Sequence, residues 1–298
     1  MKNKFILDFF ETIEYYRRHF VNPNKYIYKV FRHRMGCDLD LQNPKTYSEK
    51  LQWMKLYDHN PLYTQLVDKY EVKRYIAEKI GDQYIIPTIG CWDNVEDIDF
   101  DSLPDKFVLK CTHDSGGLAI CKDKNSFDVK KAKKKLKKSL KRNFYYMGFE
   151  WPYKNVNPRI IAEQYMEDSK TKELRDYKFF CFNGEVKALF IATERQKEGE
   201  DVKFDFFDTY YNHLPFRQGH ENAKVLPEKP VCFEKMKHLA ARLSVGLPQV
   251  RVDFYEVDGK VYFGEMTFFH HGGWTKFDPE EWDAIFGSWF TLPEIITQ

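Results

Sequence analysis

Residues 250–273, VRVDFYEVDGKVYFGEMTFFHHGG, constrain this chain more than any other stretch. Val250, Val252 and Phe254 alternate with Arg251, Asp253 and Tyr255; further on, Tyr262, Gly264, Met266 and Phe268 alternate with Phe263, Glu265 and Thr267. Period-two alternation of β-branched and aromatic residues is the pattern of two half-buried strands. A three-residue loop, Val257-Asp258-Gly259, puts glycine where a left-handed residue is needed. That loop pairs Glu256 with Lys260, Asp253 with Phe263 and Arg251 with Glu265, so Arg251, Asp253, Glu265 and Thr267 share one face. Val250, Val252, Phe254, Tyr262 and Met266 then form the apolar face. A two-residue loop would slip the register by one and turn Glu265 away from the face of Asp253. Carboxylates this close repel unless a cation lies between them, and oxygen-only ligands suit magnesium.

The 298 residues suffice for one large domain or two to three smaller ones, and 26 Phe with 19 Tyr supply a sizeable core. A net charge of +2 implies no dominant field for nucleic acid or a membrane. Cys37, Cys91, Cys111, Cys121, Cys181 and Cys232 form no CxxC pair, and several lie in apolar runs, which points to a reducing, cytoplasmic setting. Asp8, Glu11 and Glu14 break the apolar N-terminus, so no secretory signal is expected, and no stretch approaches the ~20 apolar residues of a membrane span.

In chain order, residues 4–20 fit an amphipathic helix that packs on its own domain or meets a partner or the inner face of a membrane. The basic, aromatic run 25–34 reads as a solvated helix face. Thr46 and Glu49 form a capping box opening a helix over 47–57, and a longer helix is expected over 62–80, ending at Gly81. Asp97, Asp99 and Asp101 are an Asp-x-Asp pattern that reads first as an acidic loop. Phe107–Lys110 is a strand, and Cys111–Gly117, CTHDSGG, is a glycine loop whose N–H groups can approach phosphates. Residues 128–142 are a lysine-faced helix. A strand over 159–162 leads into Glu163-Gln164-Tyr165-Met166, and Asn183-Gly184 closes a hairpin over 174–193 with Asp176 and Lys178 on one face. Residues 198–230 read as an irregular excursion, 233–243 as an amphipathic helix and His270-His271-Gly272-Gly273 as a loop that contacts substrate or serves only structure. A final helix starts at Pro279–Trp282.

The order of these pieces resembles the ATP-grasp superfamily from about Asp68 to Gly273. More narrowly, NPKTYSEKLQWMKLYD, LVDKYEVKRYI, LPDKFVLKCTHDSGG, DYKFFCFNGE and RVDFYEVDGKVYFGEMTF resemble its TupA-like branch, named for teichuronopeptide biosynthesis and associated with bacterial surface polysaccharides. The resemblance implies an α+β fold in which two α+β subdomains hold ATP between them, with an added N-terminal helical region. The corresponding divisions are 1–65 helical, 66–103 a lead-in subdomain, 104–166 the subdomain with the glycine flap and 167–298 the subdomain with the metal site. It further implies that Lys110 and the flap Ser115, Gly116 and Gly117 bind phosphates, and that Glu163, Gln164, Tyr165 and Met166 lie along adenine. Asp176 then belongs to the ATP site, and Lys178 is a second phosphate-facing cation. The resemblance implies that Asp253 and Glu265 hold magnesium, with the Thr267 hydroxyl as the third ligand where most of the superfamily has Asn. Arg251 stabilises the transferring phosphoryl group or the tetrahedral intermediate. Glu167, Asp168 and Glu173 are the ribose-binding candidates.

The implied cofactors are ATP and magnesium, and the implied chemistry is carboxylate activation. ATP phosphorylates a carboxylate, an amine displaces phosphate and an amide forms, which needs positioning and charge neutralisation rather than a protein nucleophile. The implied partners are an acid, an acidic sugar or polysaccharide precursor, and an amine or amino acid. A sugar kinase using the same ATP site is an alternative, as is a glycosyltransferase using the 97–101 aspartates; a non-catalytic binding module fits least.

Overall fold

Two antiparallel sheets line opposite sides of one cleft. The computed structural model describes residues 15–170, 172, 174–194 and 201–295. The smaller sheet has the order β1-β4-β2-β3, with β1 Thr88–Trp92, β2 Phe107–Cys111, β3 Leu118–Cys121 and β4 Ile160–Gln164. Alternation along β2 sends Phe107, Leu109 and Cys111 into a core with Leu136 of the lysine-faced helix Val129–Leu140, and leaves Val108 and Lys110 for the cleft. Val108 pairs with Glu163 and Lys110 with Ile161, so Glu163 shares the cleft face with Lys110. Because β1 pairs with β4, the lead-in strand belongs to the same sheet as the glycine loop.

The larger sheet has the order β10-β9-β5-β6-β7, from β5 Asp176–Phe182, β6 Glu185–Thr193, β7 Lys203–Asp208, β9 Val250–Val257 and β10 Lys260–Thr267. Within the expected excursion, KFDFFD forms β7, and β8 Arg217–Gln218 pairs with β11 Phe277–Asp278. One face of the larger sheet packs on helix Phe233–Ser244, where the Phe179 and Phe233 rings lie 6.1 Å apart. The opposite face carries Phe180 against Tyr47 and Phe286, then turns polar at Lys178 and Asp176.

The N-terminal helical region is part of this core. Helix Tyr47–Tyr57 opens on the Thr46–Glu49 capping box, and Tyr47 is buried among Phe180, Phe182, Phe286 and Phe290. The helix expected over 62–80 is two, Leu62–Val67 and Val72–Lys79. The break lies at Asp68, whose Oδ1 accepts from the Tyr70 and Glu71 N–H groups at 2.8 and 3.2 Å. A carboxylate that takes over backbone donors is a local competitor of helix continuation. Of the expected helix over 4–20, residues 4–14 lie outside the described residues. Among the described residues, no helix is long and apolar enough to cross a membrane.

The opening hairpin has a different register from the one expected. Its loop is two residues, Asp258 and Gly259, both left-handed at φ 50° and 72°, the turn whose twist matches paired strands. Tyr262 therefore pairs with Tyr255 and Phe263 with Phe254, so Phe263 and not Tyr262 joins the apolar face. A bulge at Gly264 then shifts the register, setting Glu265 opposite Asp253 and Thr267 opposite Arg251. A side chain at 264 would bring its Cβ to 3.0 Å from the Asp253 carbonyl oxygen, which explains glycine there. The four polar residues share a face because two offsets cancel.

Candidate active site

Both sheets contribute to a cleft, whose outer part alone has a volume of about 200 Å³. Its outer end sets apolar Ile86, Val108, Leu118 and Ile120 beside Gln164, Tyr165 and Met166, with Lys122, Lys172, Arg175 and Glu194 also lining it. Its inner end is ionic, with Lys69, Lys73, Lys110 and Lys178 facing Glu163, Asp176 and Glu265. Lys110, Glu163, Asp176 and Tyr255 line both ends and mark where they join.

At the small-sheet side Glu163 bridges two lysines. Its Oε2 is 2.6 Å from Lys110 Nζ, and its Oε1 is 2.6 Å from Lys73 Nζ. Burial raises the Glu163 carboxyl, and Lys110 and Lys73 more than reverse this, holding it below its ordinary value. The Glu163 side chain thus faces the ionic inner end and lies where the two ends join, while Gln164, Tyr165 and Met166 continue along the outer end. Asp68 brings Lys69 and Lys73 to the cleft by ending the first helix at Val67. Sequence reasoning passed over both lysines; the Asp68-Lys69 pair followed by Lys73 one turn later was the available signal.

The glycine loop is pinned at its base and open only at its tip. The buried His113 Nε2 lies 3.2 and 3.0 Å from the Ser139 and Arg142 carbonyl oxygens, and Asp114 Oδ1 accepts from the Gly117 N–H at 2.9 Å. A Cβ on Gly117 would lie 2.5 Å from Cys111 Sγ and Ser139 Oγ, so only glycine fits. Ser115 and Gly116 alone are exposed.

At the large-sheet side Arg251 is the hub. Its Nε donates to Asp253 Oδ1 at 2.7 Å and its Nη2 to Asp253 Oδ2 at 2.8 Å, a two-pronged pair. Nη2 also reaches Glu265 Oε1 at 3.1 Å and Thr267 Oγ1 at 3.0 Å. Lys178 Nζ donates to Asp253 Oδ2 and, at 3.2 Å, to Asp176 Oδ1. Burial opposes the Arg251 charge, but Asp253 and Glu265 reverse that and hold it more firmly than usual. Burial raises the Glu265 carboxyl, and Lys178 and Arg251 outweigh it, bringing it down to about 2.

The loop expected to meet substrate supports Arg251 from beneath. His270 is buried, and its Nδ1 lies 2.8 Å from Arg251 Nη1. Arginine can only donate, so Nδ1 accepts and the ring proton sits on Nε2. Burial, with His271 and Arg251 nearby, keeps His270 neutral. Gln52 Nε2 holds the Gly272 and Gly273 carbonyl oxygens at 3.1 and 3.0 Å. His271, Gly272 and Gly273 are all left-handed, which explains the two glycines.

Asp253 and Glu265 face each other with the oxygen donors that suit magnesium, but Asp253 is buried with both oxygens taken by Arg251 and Lys178, so the half-exposed, ionised Glu265 carboxylate is the one open to a cation. The Thr267 hydroxyl accepts from Arg251 instead. Among the described residues no group of three or more His, Cys, Asp and Glu side chains forms a metal cage. Of the ribose candidates, Glu167 accepts from the Tyr165 hydroxyl at 2.7 Å, Asp168 accepts from the Asp258 N–H at 3.0 Å, and Glu173 lies outside the described residues. Asp97, Asp99 and Asp101 are exposed and line neither end of the cleft.

Among solved structures, D-alanine–D-alanine ligase from Bacillus anthracis complexed with ATP aligns with a TM-score of 0.40 at 16% identity, over 74% of this chain and 57% of that one. ATP-grasp ligase PsnB complexed with its minimal precursor aligns with a TM-score of 0.43 at 10% identity, over 76% and 61%. The chain thus spans about three fifths of the length of these structures. No curated protein matches it. The family described as TupA-like ATPgrasp matches residues 49–291, from the capping box through both sheets to the region after the last helix, and the chain belongs to that family.

Proposed function

We propose that this chain is an ATP-dependent carboxylate–amine ligase that joins an amine or amino acid to an acidic sugar or polymer unit of a surface polysaccharide, working in the cytoplasm. The observation that carries this is the Arg251 guanidinium, fixed on Asp253 and reaching Glu265, which lines the inner end of a cleft together with four lysines. Lys69, Lys73, Lys110 and Lys178 take the phosphates, the Ser115-Gly116 tip covers them, and Gln164 to Met166 border the base. Glu265, with Asp253 beside it, would hold magnesium, which would supply neutralisation of phosphate charge. The γ-phosphoryl group passes from ATP to a substrate carboxylate oxygen, breaking the bond to ADP. The amine nitrogen then attacks the acyl carbon, and phosphate leaves with the electron pair of the C–O bond while the nitrogen gives up its proton. Arg251 stabilises the charge that develops on phosphoryl and acyl oxygens.

No protein nucleophile is needed, and the nearest thiol fits that role poorly. Burial pushes the Cys111 thiol, which lines the inner end, up to about 12. The surface-polysaccharide substrate is drawn from the association of the TupA-like branch with surface polysaccharides; the family match itself supports the ATP-grasp assignment. A matrix of uronic acids against amino acids, read as ADP and free phosphate, tests the reading. A ligase releases free phosphate only when acid and amine are both present. ADP formed with one hydroxyl acceptor, with the phosphate retained on it, would show a kinase instead.

A further inference from the structure

Helix Val129–Leu140 carries seven lysines in twelve residues, and none of them lines the nucleotide cleft. Its inner side buries Ala132, Leu136 and Ser139. Lys133 and Lys137 both pair with Glu96. Lys130, Lys131, Lys134, Lys135 and Lys141 are exposed, and among the described residues they make no ion pair. Lys130 with Lys134, and Lys131 with Lys135, are like charges one helical turn apart, an arrangement that costs helix stability. An anion laid along them removes that repulsion.

Beside this helix runs a groove of about 650 Å³. Leu118, Ala119 and Ile120 of β3, the edge strand of its sheet, give it an apolar lining together with Phe127. Lys122, Lys131 and Lys135 bring three ammonium groups to it, against the carboxylates of Asp123 and Asp128. Both carboxylates are engaged in local caps. Asp123 Oδ1 accepts from the Asn125 N–H at 3.0 Å, and Asp128 Oδ1 accepts from the Lys131 N–H at 2.8 Å. The groove meets the nucleotide cleft at the edge of β3, because Leu118, Ile120 and Lys122 line both.

We propose that this groove and the lysine face beside it bind the acid substrate as a polymer, a polysaccharide chain bearing carboxylates, and hold it next to the cleft where one of its units reacts. This rests on the ligase reading and makes its acid a chain rather than a single sugar. The apolar faces of sugar rings pack on Leu118, Ile120 and Phe127, and the carboxylates meet the lysines. Lys131 and Lys135 stand about 6 Å apart along the helix axis, and Lys130, Lys134 and Lys141 continue the row on its crest. A chain charged at regular intervals therefore engages several ammonium groups at once, whereas a single sugar acid engages one or two exposed ones, each worth little. A bilayer fits this surface less well. Peripheral helices hold a membrane by inserting apolar side chains, and between residues 121 and 146 no large apolar side chain is exposed.

The test compares the wild type with two double variants of equal net charge: Lys131→Gln with Lys135→Gln in the groove, and Lys133→Gln with Lys137→Gln on the Glu96 side. Glutamine is about as good a helix former as lysine, so both variants keep the helix. Binding of polygalacturonate, galacturonate and phosphatidylglycerol vesicles is measured at low and at physiological salt. The wild type should bind the polymer at least about 10-fold more tightly per uronate unit than the monomer, and less tightly as salt rises. The groove variant should lose about 10-fold in polymer affinity and the Glu96-side variant no more than about 2-fold. Equal losses in both variants, or equal affinity per unit for polymer and monomer, overturn the groove. Tighter binding to vesicles than to polymer overturns it in favour of a membrane surface. ADP release with each acid and a mixture of amino acids separates the two readings. Turnover of galacturonate without polymer binding overturns the groove and leaves the ligase reading standing. Polymer binding without ADP release from either acid overturns the ligase reading and, with it, the polymer as substrate.

Discussion

At the small-sheet side of the cleft one carboxylate, Glu163, holds two lysines; at the large-sheet side one guanidinium, Arg251, is held by two carboxylates. The two clusters differ in how firmly they are built. Lys110 hangs on a flexible stem from Glu163, so an incoming phosphate can take it over, whereas Lys73 is also tied to the Ile86 carbonyl at 3.0 Å and the Thr88 hydroxyl at 2.5 Å. Arg251 is gripped along its planar fork by Asp253, propped by His270 and touched by Thr267, so its orientation is set before substrate arrives. One cluster is suited to exchange partners, and the other to hold still while charge develops beside it.

The sharpest way to break this contrast is Arg251→Lys. A single ammonium cannot span Asp253, Glu265 and Thr267, so ATP-dependent turnover should fall by about 10²- to 10³-fold in kcat. Activity within tenfold of wild type would show that charge alone suffices there. A smaller effect, mainly on binding, is expected of Lys110→Met. Lys73, Lys69 and Lys178 remain, so KM for ATP should rise by about 10- to 100-fold with a lesser loss of kcat. A loss confined to kcat would move Lys110 from the exchangeable to the fixed class.

The smallest effect is on stability and depends on pH. The folded-state value of Glu163 lies below its unfolded value, so its contribution is present above about pH 4.3 and is lost as pH falls through the folded value. The Tm advantage of wild type over Glu163→Gln should be widest near neutrality and narrow on acidification below about pH 4.3. A gap that widened in acid would mean that the lysines do not hold this carboxylate ionised.

Much of the framework was legible because it is local. The Thr46–Glu49 capping box, the Asn183-Gly184 turn and the alternation in β2 and β9 depend on neighbours within a few residues, and each appears where the sequence places it. The register of the β9–β10 hairpin was misread because Asp258-Gly259 was counted into a three-residue loop and nothing nearby announces a bulge at Gly264. Lys69 and Lys73 were missed because a helix over 62–80 is the natural reading until Asp68 is seen to cap its own backbone. The role of His270 depends on Arg251, nineteen residues earlier, and on Gln52, far away in the N-terminal helices.

By itself, the sequence determined which residues alternate to form a polar face and, through the family pattern, which chemistry is proposed for that face. The tertiary structure decided the rest: the bulge that brings Glu265 opposite Asp253, the helix break that brings Lys69 and Lys73 into the cleft, and the packing that sets His270 against Arg251. The reason is range. Alternation, caps and turns arise from steric and hydrogen-bonding preferences between near neighbours. A buried charge, by contrast, depends on whichever distant segment the packed core brings within a few ångströms.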